Sequence, residues 1–510
     1  MTGWWRALLV GVALTVGARA DAAWQEASSK HFVVYSDDEP ERLRAFTTRL
    51  ERFDKAMRVL RSLDDPAISP TQRVTVFVLN NTRGIEKLYG RGGDGIAGFY
   101  NARASGPVAF IPRRGDGGGK EALTPEQILF HEYAHHLMFT SMGGMFVPPW
   151  YVEGFAEYSA TAALQDDGGV MFGAVPMYRL YGIAQIAPMT ARELLVADPA
   201  RLSPEARETM YGRGWLLTHY LTVDAGRRRQ LADYLRAVNA GATPQAAGDA
   251  LGLGTLDNRL SAYTREHLKG FVIPASKLSV GAVAVRPLGP GEAAVMPARI
   301  LSARGVDAKT ASRTVALART LAAPFPADAA AQNELAEAEF DAGDGQAALD
   351  AAERALTADP HSLHAAIYRG LALQQIAVKA GKADPVGLKP SRAAFVAANH
   401  LDHDAPWPLE LNYLSFVAAG QKPTANAEEG LLTAATLAPY DDDLLLLAAQ
   451  VMLARGKPAD ARAYLSPIAS NPHGGGATAF AHKLLALVDA GDAAGALALF
   501  PGGGAAKKKE

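Results

Sequence analysis

The sequence predicts an α+β domain over residues 24–272 and an all-α array of helix pairs over 321–500. Three observations carry this. Short β-branched and aromatic runs alternate with a helical pattern near the start, capped helices dominate from Pro125 onward, and the last third is alanine- and leucine-rich and repeats itself. A chain of 510 residues exceeds one ordinary core, so more than one domain is expected. Apolar content of 49% with 8% aromatic describes a folded chain. With 51 basic against 53 acidic residues the net charge is −2, which leaves no long-range field for nucleic acid or an anionic membrane.

Residues 1–22 combine Arg6, an apolar run from Ala7 to Gly17, and small residues at Ala18, Ala20 and Ala22. This is the three-part pattern of a secretory signal, and the apolar run is too short to span a bilayer. No transmembrane segment is expected after its removal, and an exported protein, periplasmic or extracellular in a bacterium, is the expectation. Absence of cysteine excludes disulfides, thiolate ligands and a cysteine nucleophile.

Within 24–272, HFVVYS (31–36) and RVTVFVL (73–79) read as strands flanking the helix RLRAFTTRLERFDKAMRVL. Residues 96–112 read as two strands joined by a turn at Ser105-Gly106-Pro107. Helices follow at LFHEYAHHLMF, PPWYVEGFAEYSATAAL, ETMYGRGWLLTHYLT and RRQLADYLRAVNAG. Residues 273–320 begin with proline, glycine and valine and carry little helical periodicity, so a junction is expected there. Residues 501–510, ending in KKKE after a glycine run, read as a solvated, disordered tail.

In the last third, one unit runs from Pro326 to Pro360, a spacing of 34, and a second from Pro439 to Pro472 is one residue shorter. Gly343 and Gly456 each lie 17 positions after the opening proline, so the units are in phase. This period resembles the tetratricopeptide repeat, which implies a solenoid whose concave surface binds a protein partner. A generic alanine-rich bundle is the alternative.

The stretch LFHEYAHHLMF holds the chemistry. Thr124, Pro125 and Gln127 form a start signal that sets the helix phase, so His131 and His135, four apart, share a face. Glu132 lies about 100° round the helix, beside an ion held by the two imidazoles. His136 faces away from that ion and reads as a partly exposed neighbour. A catalytic zinc takes three protein ligands. Glu153, one turn inside a helix opened by Pro148 and Pro149, is the candidate third, and Glu157 on the same face is placed to receive the free N–H of a ligand histidine.

HEYAH followed by WYVEGFAEY resembles the gluzincin metallopeptidases, the group of thermolysin-like enzymes and the aminopeptidase N family. The resemblance spans residues 95–225 and implies a zincin-like catalytic domain with a small sheet and a helical subdomain. It implies Zn2+ on His131, His135 and Glu153, Glu132 as general base, and Glu157 orienting a ligand histidine. Tyr211, opening Tyr211-Gly212-Arg213-Gly214 and lying 58 positions beyond Glu153, matches the tyrosine that stabilises the transition state in the aminopeptidase N family. His219, two turns further on, is a candidate to assist the oxyanion, with a core or surface histidine the preferred reading. The glutamate with which those aminopeptidases hold a free amine has no counterpart, because Gly95-Ile96-Ala97-Gly98-Phe99 stands at the matching distance. An endopeptidase acting on a peptide or protein substrate is therefore expected, and the layout looks like that of secreted bacterial peptidase-MA-like proteins. The alternative is a scaffold whose repeats do the work and whose peptidase-like domain is inactive.

Overall fold

The computed structural model describes residues 24–90, 92–93, 96–115, 123–184, 189–266, 268 and 270–501. The expected signal at 1–22 and the expected tail beyond Pro501 lie outside the described residues. The first elements are β1 (Gln25–Ser28), β2 (Phe32–Ser36), α1 (Pro40–Arg61), β3 (Val74–Leu79), α2 (Thr82–Tyr89), β4 (Phe99–Asn101) and β5 (Val108–Pro112). Then come α3 (Pro125–Ser141), α4 (Pro149–Ala160), β6 (Ala163–Leu164), β7 (Val170–Phe172), α5 (Leu180–Ile183), α6 (Ala191–Leu195), α7 (Pro204–Thr222) and α8 (Ala225–Asn239). The series continues with α9 (Pro244–Ala247), α10 (Leu253–Tyr263), β8 (Phe271–Ile273), β9 (Ala284–Pro287), α11 (Pro290–Arg304) and α12 (Ala311–Ala322).

The main sheet has six strands in the order β4-β5-β3-β2-β1-β9. Its centre is parallel, β2 to β3 and β3 to β5, while β1, β4 and β9 run antiparallel to their neighbours. The period of two assigns its faces. Phe32, Val34, Val74, Val76 and Ile111 point into a core shared with Leu50, Phe53 and Met57 of α1 and Phe130 of α3. Tyr35, Phe77 and Phe110 point the other way, onto Met296 and Ile300 of α11. Edge strand β4 flanks α3, and β6, β7 and β8 form a separate three-stranded sheet.

The expected junction at 273–320 carries β9, α11 and α12. Gly289-Pro290-Gly291 reads as a turn in sequence, yet Pro290 occupies the first turn of a helix, where its missing N–H costs nothing. Pro297 inside α11 masks the remaining periodicity.

The helical array continues with α13 (Ala329–Asp341), α14 (Gly345–Ala358), α15 (Leu363–Lys379), α16 (Lys389–Leu401), α17 (Pro406–Ala418) and α18 (Ala425–Leu437). It ends with α19 (Asp442–Ala454), α20 (Pro458–Ser470), α21 (Gly475–Asp489) and α22 (Ala493–Ala498). Each helix from α13 to α21 packs on the next. Gly343 (φ 82°) and Gly456 (φ 68°), the two in-phase glycines, turn the chain between α13 and α14 and between α19 and α20. A side chain there would be strained, which explains the phase match. Among the described residues no helix is long and apolar enough to cross a membrane.

The array lies against the α+β part. Phe139 and Phe146 pack on the core of α19–α21. The amide of Ala104 donates to Asp441 Oδ2 at 2.6 Å, and that of Val147 to Ser470 Oγ at 2.7 Å.

Candidate metal centre

The capping box at the start of α3 is formed as expected, with Thr124 accepting from the Gln127 amide and Gln127 from the Thr124 amide. It fixes the helix phase, so His131 and His135 project together. Tyr133, on another face, donates to Asp54 Oδ1 of α1 at 2.6 Å and anchors the helix to the sheet core.

α4 brings Glu153 against this pair because it crosses α7 at glycines. A Cβ on Gly214 would lie 2.7 Å from the Trp150 carbonyl oxygen, so the sequence Tyr211-Gly212-Arg213-Gly214 has a packing reason besides any chemical one. Glu153 is wholly buried. His131 Nε2 and His135 Nε2 are 3.2 Å apart, and Glu153 Oε2 lies 3.5 and 3.7 Å from them. Four ligands at the usual zinc bond lengths in a tetrahedron are separated by about 3.3 Å, so the three atoms have the spacing of one coordination shell. His135 Nδ1 and both Glu153 oxygens are buried without a well-formed hydrogen bond, which a shared cation would remedy for the carboxylate. The residues present fit a divalent metal.

The electrostatics follow from burial. Burial opposes a charge on His131, but Glu153 above all, with Glu157 and Glu132, lifts its pKa to about 9. Burial, with the positive charges of His131 and His473, pushes His135 down to about 3 against the opposing field of Glu153. Burial raises a carboxyl, yet the fields of His135, His131 and His473 hold Glu153 well below the usual range. Glu132 is moved up by burial. It lies on a cleft of about 810 Å³ bounded by β4 on one side and by Pro439–Asp443 and Asn471–Gly474 of the array on the other.

Glu157 sits behind His131, its Oε1 3.8 Å from Nδ1. Arg179, which sequence reasoning missed, donates through Nε to that same oxygen at 2.8 Å, with Nη2 in ion-pair contact at 2.8 Å. Its guanidinium also stacks 4.7 Å from the centre of the Tyr211 ring. Burial and the Glu153 carboxylate raise the Tyr211 hydroxyl well above its ordinary range, so it stays protonated as a donor. A second residue missed from sequence is His473, whose Nε2 lies 3.0 Å from Glu153 Oε1. Neither had a motif or a period to mark it.

His136 differs from expectation, whereas His219 follows its preferred reading. His136 is buried, not exposed, because Tyr440 of the array covers its ring while Tyr100 of β4 bonds its Nδ1 at 2.6 Å. His219 is a core histidine, with Tyr263 at Nδ1 and the Gly173 carbonyl at Nε2, so neither nitrogen is free for an oxyanion. A second grouping, His31, Glu51 and Asp54, lies under α1, where Arg58 pairs with Asp54 and Lys55 with the adjacent Asp65. Those fixed cations compensate the acids and make it a structural network. At Gly98 a Cβ would lie 2.7 Å from Ile128 Cγ2 and 3.0 Å from the Phe110 carbonyl oxygen, so α3 leaves no room for a glutamate there.

No protein-family model matches the chain, and no curated protein matches it in sequence.

Proposed function

We propose that this chain is a zinc-dependent endopeptidase of the gluzincin type, exported to the periplasm or beyond, with a tetratricopeptide-like domain that binds protein. The observation that carries the reading is the convergence of His131 Nε2, His135 Nε2 and Glu153 Oε2 within 4.8 Å of one another, with Glu132 on the adjoining cleft. When bound by these three residues, the ion supplies a Lewis acid for water and for the scissile carbonyl. Glu132 accepts a proton from the attacking water and returns it to the leaving amine; its raised pKa suits both transfers. Tyr211 donates a hydrogen bond to the carbonyl oxygen as it gains charge. Glu157, held by Arg179, orients His131 from behind. The cleft beside edge strand β4 receives the substrate as an extended segment, and Gly98 puts no carboxylate on the β4 side to hold a free amine.

The test is metal content and casein hydrolysis of the full chain and of Glu132→Gln. The reading expects one zinc per chain in both proteins and activity only in the first, with a loss of about 10²–10⁴-fold on substitution. Zinc without hydrolysis in either protein would instead support the scaffold alternative.

A further inference from the structure

The centre lies under the helical array, and one side chain of the array enters it. We propose that His473 is a positioning residue for Glu153, so that the metal centre is composite and complete only with the repeat domain docked; this rests on the metallopeptidase reading above. His473 Nε2 lies in ion-pair contact with Glu153 Oε1 at 3.0 Å, while the other oxygen, Oε2, faces His131 and His135. The carboxylate is thereby pinned with one oxygen toward the metal position and the other engaged. This is the service that an outer hydrogen bond gives a metal ligand, fixing its orientation and directing its free lone pairs.

Packing does not account for the position of His473, whose side chain is 55% exposed toward the cleft. A built loop does. Asn471 accepts the His473 amide at 3.0 Å through Oδ1 and donates to Asp442 Oδ2 at 2.8 Å through Nδ2, tying the loop to the start of α19. Thr478 of α21 donates to the Asn471 carbonyl at 2.9 Å. The same end of the array is fastened to the α+β part by Val147 on Ser470 and by Ala104 on Asp441. Named hydrogen bonds therefore run from domain docking to the loop, and an ion-pair contact from the loop to Glu153.

The experiment uses the full chain with His473→Ala, His473→Gln and Asn471→Ala. Zinc dissociation constants are measured by competition with a chromophoric chelator, kcat and KM on casein, and folding by thermal melt. His473→Ala is expected to melt with the wild type and to bind zinc about 10–100-fold more weakly. Gln, which keeps an N–H donor, should recover most of that loss, and Asn471→Ala should fall between wild type and His473→Ala. An unchanged zinc affinity in His473→Ala overturns the inference and leaves the metallopeptidase reading standing. A loss beyond about 10³-fold that Gln does not repair overturns it in favour of direct ligation. If the wild type takes up no zinc, the underlying reading fails first, and this one with it.

Discussion

Removing Arg179 is the perturbation whose size follows most directly from the structure. The partners of its guanidinium are of unequal weight. Glu157 is 1% exposed and receives a hydrogen bond and a further ion-pair contact, each at 2.8 Å, so Arg179→Met strands a buried carboxylate, at a cost of about 3–5 kcal/mol. The lost stacking on Tyr211 adds about 0.5–1 kcal/mol. The bond to Glu208, whose carboxylate is 52% exposed, adds little. About 3.5–6 kcal/mol is the expected total. Glu157→Gln alone leaves the guanidinium with Glu208 and costs about 2 kcal/mol, mainly for an imperfectly bonded amide. In the double variant no charge is stranded, so the cost should fall short of the sum by about 2–3 kcal/mol. Urea unfolding followed by tryptophan fluorescence reads this, since Trp150 and Trp215 are fully buried in α4 and α7, and only the transition they report should be fitted. Additivity within about 0.5 kcal/mol would refute the claim that Arg179 acts through Glu157.

Three further outcomes are expected. Tyr211→Phe should retain zinc and lose about 10²–10³-fold in kcat with little change in KM, since an oxyanion donor acts only in the transition state. Gly214→Ala should destabilise by about 1–3 kcal/mol and weaken zinc binding, because its Cβ meets the Trp150 carbonyl at 2.7 Å and displaces the helix bearing Glu153. Glu410 of α17 is pushed up to about 8 by burial and by Asp441 and Asp443. A carboxyl whose folded value is raised contributes stability that is complete below its unfolded value near 4.3 and is lost as pH rises through about 8. Melting temperatures between pH 5 and 9 should therefore fall less steeply for Glu410→Gln than for wild type.

What was legible in the sequence was local. Thr124, Pro125 and Gln127 announce α3, and helical period alone then places His131 beside His135. Strand alternation sorts Val34 and Val76 from Tyr35 and Phe77, and the glycines at 343 and 456 mark turns that demand a positive φ. Arg179 was not legible because it leaves a short helical turn between β7 and α5, where no period relates it to Glu157. His473 and the burial of His136 were illegible for a different reason: both arise where the array docks on α3, a contact between segments that share no pattern. Pro297 hid α11 because a proline inside a helix is read, by default, as its end.

The charge count bears on whether the domain is a scaffold. Glu132, Glu153 and Glu157 converge around His131, and the one fixed cation paired within this group is Arg179 among the described residues. In a domain retained for packing, buried ionic groups of this kind are often replaceable by apolar residues of similar volume at no loss, or with a gain of about 1–4 kcal/mol. Here instead Glu153 turns Oε2 toward both imidazoles, Glu157 lies behind His131, and Glu132 lies on the adjoining cleft. Glu132 is then the telling residue, since structural zinc would need the ligands but not a carboxylate on the open cleft.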